Sequence, residues 1–230
     1  MNNQISSFEY VSILISIILG LGITQILSSF SDLLYNHKKV IFYWPHSLWV
    51  IFVLFLHIQD WFITYQLKEK TIWHLSELTF MLLYPIMLFM AAKILLPTND
   101  NEERFDMKKY YFSQFIVFFS IISISILLSI SFNLFFLQKS IGQQSLLILF
   151  FIILISISLT KTVNEVVHRV LAFSLLATAI LSVILEQDVW IIKWKQTAAS
   201  LPNQMMRINL QNLPTNSHHH FQLLSTDWRK

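Results

Sequence analysis

Long apolar runs separated by short polar clusters fill the chain as far as Leu185. A helix needs roughly 20 mostly apolar residues to cross the roughly 30 Å hydrocarbon core of a bilayer. Six stretches satisfy that requirement. Tyr10 to Ser31, Val40 to Gln59, Tyr110 to Gln138 and Ser140 to Thr160 carry no Asp, Glu, Lys or Arg, although the first residues of the last belong to a loop. Ile72 to Leu96 includes Glu77 and Lys93 near its ends, and Val170 to Leu185 borrows Val166 to Arg169 to complete a crossing. Nothing alternates with a period of two, which excludes the pattern of an outer-membrane barrel. The predicted fold is all-α, a polytopic membrane helix bundle of about six transmembrane helices.

The polar intervals refine this picture. Tyr35 to Lys39, Gln66 to Thr71, Lys139 to Gln144 and Lys161 to Glu165 are short enough to make successive helices antiparallel neighbours, and only Pro97 to Lys109 is a longer polar loop. The helical bundle is expected over residues 1–195, with 196–230 a polar C-terminal tail, expected to be flexible. No Lys or Arg precedes the first span and no small-residue cleavage pattern follows it, so it reads as a retained helix rather than a secretory signal. Trp44, Trp49, Trp61, Trp73, Trp190 and Trp194 fall near predicted span ends, where indoles favour the headgroup level.

Composition agrees with the pattern. The 230 residues are 55% hydrophobic and 13% charged with 20 phenylalanines, and mean hydropathy is +0.58. Soluble domains are about a quarter charged. The net charge of +3 comes from scattered lysines and arginines, without the basic stripe of a nucleic-acid-binding surface. With no cysteine, there is no disulfide, thiolate metal site, thiol nucleophile or palmitoyl anchor. The Lys and Arg residues divide evenly between the two sets of alternate loops, so the positive-inside rule does not orient the bundle. The long polar tail places both termini in the cytoplasm, as it is more easily left there than translocated.

Several polar positions inside the spans are candidates for function. Ser12, Ser16, Gly20, Thr24 and Ser28 recur every fourth residue, followed by Asp32, and so share one helix face. Small side chains let helix backbones approach closely in a bilayer, within one chain or between subunits. Gln25, beside Gly20 and Gly22, should point away from lipid, into a helix contact or as the lining of a pore or cavity.

The most chemical grouping straddles the second loop, where His57 and Asp60 end one helix and His74 and Glu77 begin the next, each pair spaced i, i+3. In an antiparallel hairpin Asp60 and Glu77 lie at equal depth. The four could bind a divalent metal or relay protons if the two faces meet. Otherwise they are surface polar residues bonded to headgroups and to one another. A second polar knot, Lys161, Asn164, Glu165, His168 and Arg169, offers an i, i+4 ion pair between Glu165 and Arg169. It reads as an ordinary loop or as a polar pocket at an interrupted helix.

Pro85 falls within the third span and removes a backbone bond, predicting a kink. Ser120, Ser123, Ser125, Ser129, Ser131, Ser156 and Ser158 can bond to helix carbonyls, and no base on their helices makes a nucleophile of any of them. His218 to His220 form a short run in the tail, a weak metal ligand or a low-complexity patch. A P-loop, HExxH and GxSxG are absent. No cofactor is implied and an enzyme is not expected.

The segment FEYVSILISIILGLGIT, Phe8 to Thr24, with WPHSLWVIFVLFLHIQDWF, Trp44 to Phe62, resembles a broad group of small multi-spanning bacterial membrane proteins with no agreed activity. Size, helix count and Ile/Lys/Asn-rich composition are also similar to the membrane accessory proteins encoded beside RNA-targeting type VI-B CRISPR effectors. That likeness implies a role modulating antiviral defence at the inner membrane, and it carries over no functional residue.

The leading expectation is a non-enzymatic accessory or effector protein of the inner membrane. It would assemble as a homo-oligomer through its first helix, perturb or permeabilise the bilayer, and engage a protein from a neighbouring gene but no nucleic acid. The alternative is a small metal- or proton-coupled transporter centred on His57, Asp60, His74 and Glu77. An intramembrane enzyme would need the same four residues.

Overall fold

The computed structural model describes residues 6–97 and 104–185, all within one compact unit, Met1–Ile192. The tail with His218 to His220, Trp190 and Trp194, and the loop acids Asp100, Glu102 and Glu103, lie outside the described residues.

Among the described residues six helices are long and apolar enough to cross a membrane: α1 (Ser7–Tyr35), α2 (Trp44–Tyr65), α3 (Leu75–Leu95), α4 (Met107–Phe135), α5 (Ser145–Thr160) and α6 (Glu165–Leu185). The protein is a multi-pass membrane helix bundle. Its boundaries follow local chemistry more closely than they follow charge. Helix α1 begins earlier than its uncharged run because Ser6 and Glu9 form a reciprocal capping box, Ser6 Oγ accepting from the Glu9 amide at 3.1 Å and Glu9 from the Ser6 amide at 2.7 Å. Helix α2 starts late, at Trp44, where Pro45 suits the first helical turn. It then runs past Gln59 through Asp60 to Tyr65, so a carboxylate sits within the helix. Asp106 caps α4 by accepting from the Lys108 and Lys109 amides. Helix α3 continues through Pro85.

Two short strands, β1 (Val40–Ile41) and β2 (Phe105–Asp106), pair in parallel and join the α1–α2 and α3–α4 connections at one end of the bundle. With six crossings, the α5–α6 turn shares that end. The start of α1, the α2–α3 and α4–α5 connections and the end of α6 share the other.

Helix α1 packs on α2 and α3, α3 on α2 and α4, and α4 on α5. The last helix departs from the chain order, because α6 has α2 as its principal neighbour rather than α5. The core gathers Trp49, Val53, Ala91, Phe118, Phe119, Leu154 and Ala172. Trp49, expected at the headgroup level, is instead buried, with ring centroids 5.2 Å from both Phe118 and Phe119. Five residues into α2, it can fill the interior, whereas Trp44 and Trp61 remain exposed. Ile13, Ile17, Leu21, Ile124, Leu149, Ile152 and Phe173 face outward, as expected for a lipid-facing surface.

Candidate functional site

Because α5 and α6 do not pack closely together, a gap opens among α2, α4, α5 and α6, closed on one side by α3. It forms a cavity of about 270 Å³. Gln66, Lys139 and Gln143 line it at the loop end, and Phe52, Ser125 and Leu175 line it deeper in the bundle. Ser125 stands about 15 Å from the end of α4 at 1.5 Å of rise per residue, which is well inside a bilayer.

Most of the wall is apolar or aromatic, from residues such as Phe80, Phe132 and Phe150. Among the described residues Asp60 is its single acidic one. Among the described residues the Asp60 carboxylate has neither a hydrogen bond nor an ion pair. Tyr84 on α3 lines the same space within electrostatic reach of Asp60. Asn133, also on the wall, donates to Gln144 at 3.2 Å and so joins α4 to the start of α5.

The other three residues of the sequence grouping go elsewhere. His57 is fully buried on the α1 side of α2, where Nδ1 donates to the Val53 carbonyl at 2.7 Å and Nε2 has no partner among the described residues. Its ring lies against Gly22, and a Cβ on that glycine would collide with it. Glu77 turns outward, accepting from Lys70 at 2.8 Å and from the His74 amide at 3.1 Å. His74 serves as the N-cap residue of α3. Among the described residues no group of three or more His, Asp or Glu side chains gathers as a metal would require. The i, i+3 spacing puts His57 and Asp60 near one another on α2, but α1 claims the histidine and the cavity claims the aspartate.

The small-residue face of α1 is turned mainly outward. Gly20, Thr24 and Ser28 are exposed, while Ser12 and Ser16 are half-buried. The side of α1 that packs inward carries Val11, Ile15, Leu19, Gly22, Ile26, Ser29 and Leu33. Ser12 and Thr24 bond back to the Glu9 and Gly20 carbonyls. Gln25 is half-buried in a helix contact, donating to Ser29 at 2.9 Å and accepting from Lys93 of α3 at 3.5 Å.

The second polar knot is a tie between α4 and α6. Lys161 ends α5 in the left-handed conformation, with φ 50°. Glu165 then pairs with Lys108 at 2.8 Å and with Arg169. His168 is fully buried among Tyr111, Phe112, Phe115 and Phe119. Nε2 donates to the Thr162 carbonyl at 2.8 Å, leaving Nδ1 to accept from the Tyr111 hydroxyl at 2.8 Å. Both ring nitrogens are therefore satisfied. Just outside α2, burial and then the nearby Glu165 carboxylate push the Tyr43 hydroxyl above its ordinary pKa, despite Arg169 beside it.

Sequence reasoning identified Asp60 but missed Tyr84, Asn133 and Gln144. A phenol, an amide and a loop glutamine carry no spacing signal of their own. The packing of α6 on α2 decides that they share a cavity. Comparison with protein-family models, curated proteins and solved structures finds no match to this chain.

Proposed function

We propose that the protein is a non-enzymatic solute carrier of the bacterial inner membrane in which Asp60 holds either a proton or the solute. The observation that carries this reading is the unpartnered Asp60 carboxylate on the wall of a cavity between crossing helices. Removing an ionised carboxylate from water without a partner costs several kcal/mol, so such a group requires a proton or a cation. Ionisable residues in spanning helices that face a cavity mark ion and solute pathways. Tyr84 and the serines of the wall supply polar contacts, and the aromatic and aliphatic residues supply the apolar surface common in small-molecule sites. We place the cavity mouth, with the start of α1 and the end of α6, on the cytoplasmic side.

Carriage requires the deep end of the cavity to open to each side in turn. The chain has no native cysteine, so Ser125→Cys introduces a unique reporter. In proteoliposomes, a membrane-impermeant maleimide added to either face should label it. Labelling only from the Gln66 end would sink carriage and leave a one-sided binding pocket.

A second reading is favoured by the outward face of Gly20, Thr24 and Ser28. It takes the protein as an oligomeric accessory or effector that meets a second copy, or a neighbouring gene's product, along α1. Membrane permeabilisation and the modulation of CRISPR defence belong to that reading. Open space beside Gly20 leaves room for a close helix contact.

A further inference from the structure

We infer that the occupant of the cavity is a small organic monocation, a protonated amine or quaternary ammonium with an apolar body. It would be held by Asp60 against an aromatic wall. The inference rests on the cavity being a solute site and does not require carriage.

Charge comes first. Asp60 offers one negative charge, and among the described residues Lys139 is the one basic residue on the wall. Lys139 belongs to the α4–α5 connection, where water or lipid phosphate can satisfy an ammonium. Asp60 lies inside α2, half-buried on the cavity wall and without a side-chain partner among the described residues, so its charge is the one left for a ligand to match.

The chemistry of the wall then separates organic from inorganic cations. Hard metal ions take six or more oxygen ligands, and first-row divalent metals require several N, O or S ligands in defined geometry. Here one carboxylate is accompanied by Phe52, Phe80, Phe132, Phe150 and Tyr84. Aromatic faces attract ammonium groups through the ring quadrupole, more strongly where water is excluded. Aliphatic neighbours such as Leu56 and Ile126 would bury the rest of the molecule. The volume of about 270 Å³ suits a small amine.

The test is equilibrium dialysis of the full chain in nanodiscs, with radiolabelled benzyltrimethylammonium and radiolabelled phenethylamine as probes and empty nanodiscs subtracted. Saturable binding of at least one of them near one per chain is expected, weakened at least tenfold by Asp60→Asn and largely kept by Asp60→Glu. Benzyl alcohol, benzoate and phenylalanine should compete at least tenfold more weakly than either cation.

Equal competition by benzyl alcohol would overturn the assignment of charge. Stronger competition by phenylalanine, lost in Lys139→Ala, would replace the monocation with a zwitterion. Failure of both cations to bind well-folded protein would overturn the inference, even if Ser125→Cys labels from both faces and carriage stands. Binding of the cations with one-sided labelling would support the inference and refute carriage.

Discussion

Gly20 and Gly22 lie two positions apart on α1 yet meet opposite surroundings. A Cβ at Gly20 touches nothing, whereas at Gly22 it would strike the buried imidazole of His57, which is pinned through Nδ1 to Val53. Gly22→Ala should therefore lower unfolding free energy by about 1–3 kcal/mol, the usual cost of overpacking. Gly20→Ala should leave stability unchanged or raise it by up to about 1 kcal/mol, since alanine is the better helix former. Thermal unfolding in detergent checks both. The double variant Gly22→Ala/His57→Ala should be less destabilised than the sum of its parts, because the clash is absent once the ring is gone. Asp60 shows the same dependence on surroundings. Its charge was legible at once, but the absence of any partner depends on where α3 and α6 lie.

At the scale of the helix, α1 carries two different faces. Its inward face has Leu19, Gly22 and Ile26, and its outward face has Gly20, Thr24 and Ser28. If the outward face meets a second copy, Gly20→Leu should reduce the native mass in mild detergent to that of one chain without lowering stability. An unchanged oligomeric mass would remove α1 from the interface. Helix α6 follows the same logic in reverse. It takes its place through buried His168, bonded to Tyr111 and Thr162, and through Glu165 paired with Lys108. These ties fasten the start of α6 to the start of α4, while its body lies along α2 and leaves the cavity beside α5.

For the whole molecule, six crossings divide the connections into two sets. The parallel pairing of Val40–Ile41 with Phe105–Asp106 joins two connections of one set, as that parity demands. Because the chain lacks cysteine, single reporters can read the arrangement. Lys38→Cys and Lys161→Cys should react with an impermeant maleimide from the same face of sealed vesicles. Lys68→Cys and Gln143→Cys should react only from the other. Reaction of Lys38→Cys and Lys161→Cys from opposite faces would refute six crossings. Reaction of Lys68→Cys from inside the cell would place the cavity mouth in the cytoplasm.

The number and class of the helices were determined by the sequence alone, because backbone groups in hydrocarbon must bond within their own segment and long apolar runs satisfy that locally. Local chemistry extended this to some ends, as at Ser6 and Glu9. The Glu165–Arg169 pair was legible for the same reason, since both residues lie on one helix turn. Tertiary structure alone decided which polar residues meet. Whether His57 joins Asp60 and Glu77 depends on the rotation of α2 between α1 and the cavity, and on Lys70 reaching Glu77 first. The cavity arises from α6 packing on α2, a choice made by side chains distant in sequence, for which no short-range pattern exists.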